Sequence, residues 1–99
     1  MNHWDHITEK QLSSSIREEA EARGWLCFST WDSRHSPPGM PDLLLVRPPR
    51  VLFLELKREK KGVLSFYQWE ALERIQHCSE VDAYLIIPSD DNLISELLV

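Results

Sequence analysis

Apolar and polar positions follow two periods along this chain. Leu12, Ile16 and Ala20 recur on one stripe at 100° per residue, which predicts a helix over residues 8–23. Thr8 stands where a cap belongs, with Gln11 at capping-box spacing, and Gly24 ends the helix. Residues 25–29 have the length of a short strand. The apolar runs 43–46 and 51–54 flank Arg47-Pro48-Pro49-Arg50 and predict a β-hairpin. A second helix is predicted over roughly 65–79, capped by Ser65 with Gln68 at the same spacing. Its inward stripe is Gln68, Ala71, Leu72 and Ile75. Residues 84–87 read as a fourth strand, Pro88-Ser89-Asp90-Asp91 as a turn, and 93–99 as a final short helix. The order α-β-β-β-α-β-α predicts an α/β domain, with helices flanking a four-stranded mixed sheet.

At 99 residues the chain is expected to form a single domain, 1–99, and 42% apolar residues suit a packed core. No run of about 18 apolar residues is present, so no membrane-spanning segment is expected. The N-terminal residues carry no secretory pattern. Cys27 and Cys78 lie far apart without metal-ligand spacing, and read as two thiols in a reducing cytoplasm.

The net charge of −5 argues against a protein that coats DNA by positive charge. The charge is unevenly spread. Residues 34–62 hold seven Lys and Arg against three acids, or +4, while residues 1–33 carry −3 and 63–99 carry −6. The positive segment includes Arg34, Arg58, Lys60 and Lys61 and brackets the hairpin, which favours phosphate attraction over a merely solvated face.

Within that hairpin, Pro41-Asp42 enters the first strand and Glu55-Leu56-Lys57 ends the second. Alternation points Glu55 and Lys57 to one face and Leu56 to the other. A tightly paired hairpin brings Asp42 beside Glu55. Two carboxylates and an ammonium in one small volume suit hard divalent ions such as Mg²⁺ or Mn²⁺. The structural alternative is a salt-bridged strand end, and exposed pairs of that kind contribute only about 0–1 kcal/mol.

These residues resemble a known family. Pro41-Asp42 with Glu55-Leu56-Lys57 is similar to the signature of the PD-(D/E)XK nucleases. Asp32-Ser33-Arg34, Ser36, Gly39-Met40-Pro41-Asp42 and Gln68 are similar to its VRR-NUC branch, especially the small stand-alone domains of phage and bacterial type. The likeness runs from about Thr8 to the final helix. A bare PD…ExK is common by chance, whereas this ordered set over a whole small domain is specific. The resemblance implies a restriction-endonuclease-like αβββαβ core and hydrolysis of DNA phosphodiester bonds. It implies an Mg²⁺ or Mn²⁺ site made by Asp42, Glu55 and the Leu56 carbonyl, with Lys57 positioning water or stabilising charge. It also implies that Gln68 borders this site and that Glu9 adds a metal or water ligand.

Other roles stay open at several positions. Glu9 lies on the inward stripe and Glu18 opposite it, yet Glu9 also suits a helix's first turn as a plain acid. Gln68 serves equally as a capping residue. Ser33, Arg34 and Ser36 could hold a phosphate or simply stabilise their loop, and His35 reads as surface. Stand-alone relatives resemble Holliday-junction resolvases in being dimeric, and larger ones cut flaps. A homodimer acting on branched DNA is therefore expected, with Trp4, Trp31, Phe66 and Trp69 as interface candidates. The alternatives are a flap- or nick-directed nuclease and a DNA-binding module that does not cleave.

Overall fold

Thr8 opens the first helix as its spacing predicts. In the computed structural model, which describes residues 3–30, 37–60 and 62–99, its hydroxyl accepts from the Gln11 N–H at 3.0 Å. Its own N–H donates to Gln11 Oε1 at 2.9 Å. Helix α1 (Glu9–Ala22) follows, and Gly24 leaves it with φ +86°, a left-handed conformation that favours glycine. Leu12, Ile16 and Ala20 are buried as the stripe predicts, Glu18 is exposed, and Glu9 is half-buried.

The strands are β1 (Leu26–Ser29), β2 (Leu43–Arg47), β3 (Arg50–Leu56) and β4 (Asp82–Ile86), and they lie side by side in that order. β1–β2 and β2–β3 are antiparallel, and β3–β4 is parallel. A parallel pair needs a long crossover, and helix α2 (Phe66–Gln76) supplies it. Helix α3 (Asp91–Leu97) follows a single 3₁₀ turn at Pro88–Asp90. This is the predicted mixed four-stranded sheet with flanking helices.

One face of the sheet carries the core. Leu43, Leu45, Leu52, Leu54, Leu56 and Ile86 are fully buried there, against α1 and against Ile94 and Leu98 at the C-terminal end. Burying a side chain of this size is worth about 1.5–3 kcal/mol. The opposite face carries the odd-numbered side chains of β3, Glu55 among them. α2 packs on that side, with only Leu72 of its predicted stripe fully buried.

Strand ends differ from the sequence expectation by one to two residues, because ladder hydrogen bonds outrun the apolar runs, and helix α2 ends at Gln76, three residues short of the expected end. Arg47 pairs with Arg50, so the expected four-residue break shrinks to Pro48-Pro49, joined by a cis peptide bond. β4 begins at Asp82 and α3 at Asp91. Trp25 lies before β1, buried, with its indole N–H donating to the Leu98 carbonyl at 3.1 Å.

Arg47 and Arg50 also depart from the phosphate-attracting role that segment charge suggested. Their guanidinium groups lie 4.6 and 5.1 Å from the Trp25 ring centroid. Arg47 donates to the carbonyls of Arg23 (3.0 Å), Leu98 (3.3 Å) and Val99 (2.6 Å), and Arg50 to that of Val99 (3.2 Å). Both cations brace the C-terminal turn, at the end of the ribbon away from Asp42.

Candidate active site

The β2–β3 register fixes the central geometry. Leu43 faces Leu54, so the next pair outward is Asp42 and Glu55. Asp42 is half-buried, and its Oδ2 accepts from the Leu56 N–H at 2.7 Å. This bond to the backbone of β3 holds the Asp42 carboxylate across the strand end. The segment before it is pinned in turn. Thr30 N–H donates to the Asp42 carbonyl at 3.0 Å, and Thr30 Oγ1 donates to the Pro41 carbonyl at 2.7 Å.

Glu55 is only 2% exposed, although it is an acid in the sheet interior. Unpaired burial of a carboxylate is costly, and such a group takes up a proton instead. Burial, the Asp42 charge and a hydrogen bond to the Asp42 side chain push the Glu55 carboxyl up to about 8. Lys57 opposes that rise, and Glu9 adds to it. At neutral pH Glu55 therefore keeps its proton, hydrogen-bonded to the Asp42 side chain. A pair that must hold a proton to coexist is a site that favours a cation.

Gln68 completes the pair's surroundings. Its backbone N–H donates to the Ser65 hydroxyl at 3.1 Å, and its Oε1 accepts from the Ser65 N–H at 2.9 Å. With the amide oxygen so engaged, Nε2 is left to donate to Glu55 Oε1 at 3.1 Å. Capping and contact with the site are thus one arrangement of one side chain.

Two glycines permit close approaches around this centre. Gly39 has φ +89°, and a Cβ there would lie 2.4 Å from the Tyr67 carbonyl oxygen. The loop that delivers Pro41-Asp42 therefore lies flush on the first turn of α2. A Cβ on Gly62 would lie 2.4 Å from Lys57 Cβ and 2.9 Å from its Cγ. The backbone at Gly62 thus covers the half-buried Lys57 stem. A cleft of about 250 Å³ opens beside the pair, lined by Thr30, Gly39, Met40, Asp42 and Gln68. A roomier cavity, about 600 Å³, lies between the N-terminal turn, α1 and α3, and contains neither Asp42 nor Glu55. The convergence of charge, and not volume, picks out the candidate centre.

The remaining sequence-predicted residues fall out as follows. Glu9 is half-buried and its charge adds weakly to the rise at Glu55, but among the described residues no three His, Cys, Asp or Glu side chains form a metal-holding group. The acidic donors there are the Asp42–Glu55 pair. Arg58 is half-buried and donates to the Asp5 carbonyl at 3.3 Å. Lys60 is exposed, with φ +64°. Ser33, Arg34, Ser36, Lys61, Asp32, His35 and Trp31 lie outside the described residues. Thr30 and Gly62 were not singled out as site residues from sequence. Their positions become visible only once the register pairs Thr30 with Asp42 and the loop closes on Lys57.

The donor chemistry fits a divalent cation. Two carboxylates, one of them buried, offer hard oxygen ligands at one end of the sheet.

No protein-family model matches the chain, and no curated protein does. A solved structure described as a VRR_NUC domain superposes with a TM-score of 0.69, covering 89% of this chain and 94% of that chain at 22% sequence identity. That likeness extends the sequence resemblance to the whole fold.

Proposed function

From a chain with the fold of a VRR_NUC domain, we propose a divalent-metal-dependent DNA endonuclease that hydrolyses phosphodiester bonds at Asp42, Glu55 and Lys57. The observation that carries this reading is the buried Glu55 set beside Asp42 at the strand end, with Lys57 acting on it and Gln68 bonded to it. Asp42, Glu55 and the Leu56 carbonyl would hold Mg²⁺ or Mn²⁺, with Glu9 contributing as a further ligand or through a bound water. When bound, the ion polarises the phosphate and lowers the pKa of an attacking water.

The protein's own groups do the rest. Lys57 stabilises the negative charge that develops at phosphorus and helps position the water. Gln68 fixes the rotamer of Glu55. The Leu56 N–H holds the Asp42 carboxylate in place beside Glu55. Ser33, Arg34, Ser36, Arg58, Lys60 and Lys61 supply phosphate contacts along the strand.

Branched DNA is the proposed substrate, cut by a homodimer in the cytoplasm. Symmetric cutting of a four-way junction needs two active sites. The exposed Leu26 and Phe28 on edge strand β1 provide apolar surface for a second copy. The competing reading is a monomer directed to flaps or nicks, and a third is a DNA-binding module that does not cleave. Incubation of four-way junctions, flaps and linear duplex with Mg²⁺, Mn²⁺ or EDTA, alongside light scattering, separates them. Metal-dependent paired cuts by a dimer support the proposal. Binding without cleavage under any metal overturns the nuclease reading.

A further inference from the structure

We propose that the first turn of α2 is a stacking platform for unpaired nucleobases, which holds bases opened at a branch point beside the strand cut at Asp42–Glu55. The substrate class rests on the nuclease reading above, while the platform itself stands on separate observations.

Phe66, Tyr67 and Trp69 are 65%, 61% and 51% exposed. A helix of this size has no folding reason to present three aromatic rings to solvent in a single turn. The rings form one cluster, Phe66 lying 5.8 Å from Tyr67 and 6.4 Å from Trp69 between ring centroids. Their position ties them to the carboxylate pair. Gln68, between Tyr67 and Trp69 in the chain, reaches inward to Glu55 at 3.1 Å. The Tyr67 backbone abuts Gly39, at the wall of the cleft that holds Asp42. The rings therefore stand outside the cleft while their own turn forms part of its side.

Charge narrows the occupant. The first turn of α2 contains no acidic residue. Glu70, the nearest acid along the helix, lies 3.6 Å from Arg74 in an i,i+4 pair. The loop entering the helix carries Lys57, Arg58 and Lys60. Exposed aromatic faces on a turn that adjoins the proposed centre, reached through a basic loop, are features that bind unpaired bases, where bases stack and the backbone follows positive charge. Paired bases keep their faces inside the duplex and cannot use such a platform. A second copy of this chain is the competing occupant of the rings, and the test below separates the two.

The test measures binding in EDTA by fluorescence anisotropy. It compares a short oligothymidine strand with an abasic strand of the same length, which has the same phosphates and no bases. Wild-type protein is expected to bind the base-bearing strand at least about tenfold more tightly. The Phe66→Ala/Tyr67→Ala/Trp69→Ala protein should bind both strands alike, at the wild-type affinity for the abasic one. Single Phe66→Ala and Trp69→Ala proteins should show intermediate losses, and Trp69→Phe should keep most of the preference. No preference in the wild type, or a preference that survives the triple change, overturns the proposal. So does equal loss on both strands together with conversion of a dimer to a monomer, which would make the rings a protein interface. Cleavage of four-way junctions and flaps with Mg²⁺ or Mn²⁺ is measured in parallel. Base preference with no cleavage of either substrate overturns the nuclease reading and keeps the platform, and cleavage without base preference does the reverse.

Discussion

Gln68 joins the cap of α2 to the buried acid of β3, accepting from the Ser65 N–H at 2.9 Å and donating to Glu55 Oε1 at 3.1 Å. Its two amide ends can be separated by substitution. Gln68→Glu keeps an acceptor for the Ser65 N–H but replaces the donor to Glu55 with a third carboxyl group beside the pair. We expect near-native melting temperature with cleavage reduced at least about tenfold, because the fixed Glu55 rotamer is lost. Gln68→Ala removes both bonds and should also destabilise the fold by about 1 kcal/mol. Thermal unfolding and plasmid nicking on the two proteins check this. Equal activity in Gln68→Glu and wild type would make the contact incidental.

The Glu55 carboxyl, pushed up to about 8 by burial and by Asp42, sets a pH dependence. The folded protein keeps the proton that an ordinary unfolded Glu releases near its model value of 4.5. The folded state therefore binds more protons between those values, and metal-free stability falls as pH rises through that window. It is fully present below about 4.5 and levels off above about 8. A divalent ion selects the ionised pair, so Mn²⁺ should raise the melting temperature more at pH 8 than at pH 6. Glu55→Gln should flatten both dependences. Thermal unfolding across pH, with Mn²⁺ and with EDTA, measures them.

Lys57 is held by a glycine. A Cβ at position 62 would sit 2.4 Å from Lys57 Cβ, and this contact is with the base of the side chain, which cannot swing away. Gly62→Ala must therefore shift either the loop or Lys57. Cleavage should fall several-fold or more in kcat, while DNA binding in EDTA and the melting temperature change little. Unchanged kcat would mean that the loop yields without moving the ammonium.

Arg47 provides a contrast within the basic segment. Its bonds to Arg23, Leu98 and Val99 and its position over Trp25 are internal. Arg47→Ala should cost about 1.5–3 kcal/mol of stability, the range for hydrogen bonds to a charged group. The salt dependence of DNA binding should not change, because no phosphate contact is lost. Denaturant melts and affinity against salt concentration decide between these roles.

That contrast marks what the sequence can reveal. Helix stripes, both capping boxes and the hairpin depend on neighbours a few residues apart, so periodicity exposes them. Asp42 opposite Glu55 follows from the hairpin alone. The fate of Arg47 depends on a carbonyl 52 residues away, and no local pattern encodes it. Thr30 becomes a support for Pro41-Asp42 only once β1 pairs with β2. Only the folded loop places Gly62 against Lys57. The spacing of Gln68 fits both cap and site, and the amide's two ends serve both.

The most direct test of the central claim is metal-dependent nicking of supercoiled plasmid by wild-type, Asp42→Asn and Glu55→Gln proteins at pH 8, each confirmed folded by circular dichroism. The account predicts cleavage by wild type with Mg²⁺ or Mn²⁺, none with EDTA, and loss of at least about a hundredfold in both variants while DNA binding in EDTA persists. Wild-type cleavage that survives EDTA, or full activity in either folded variant, would contradict it.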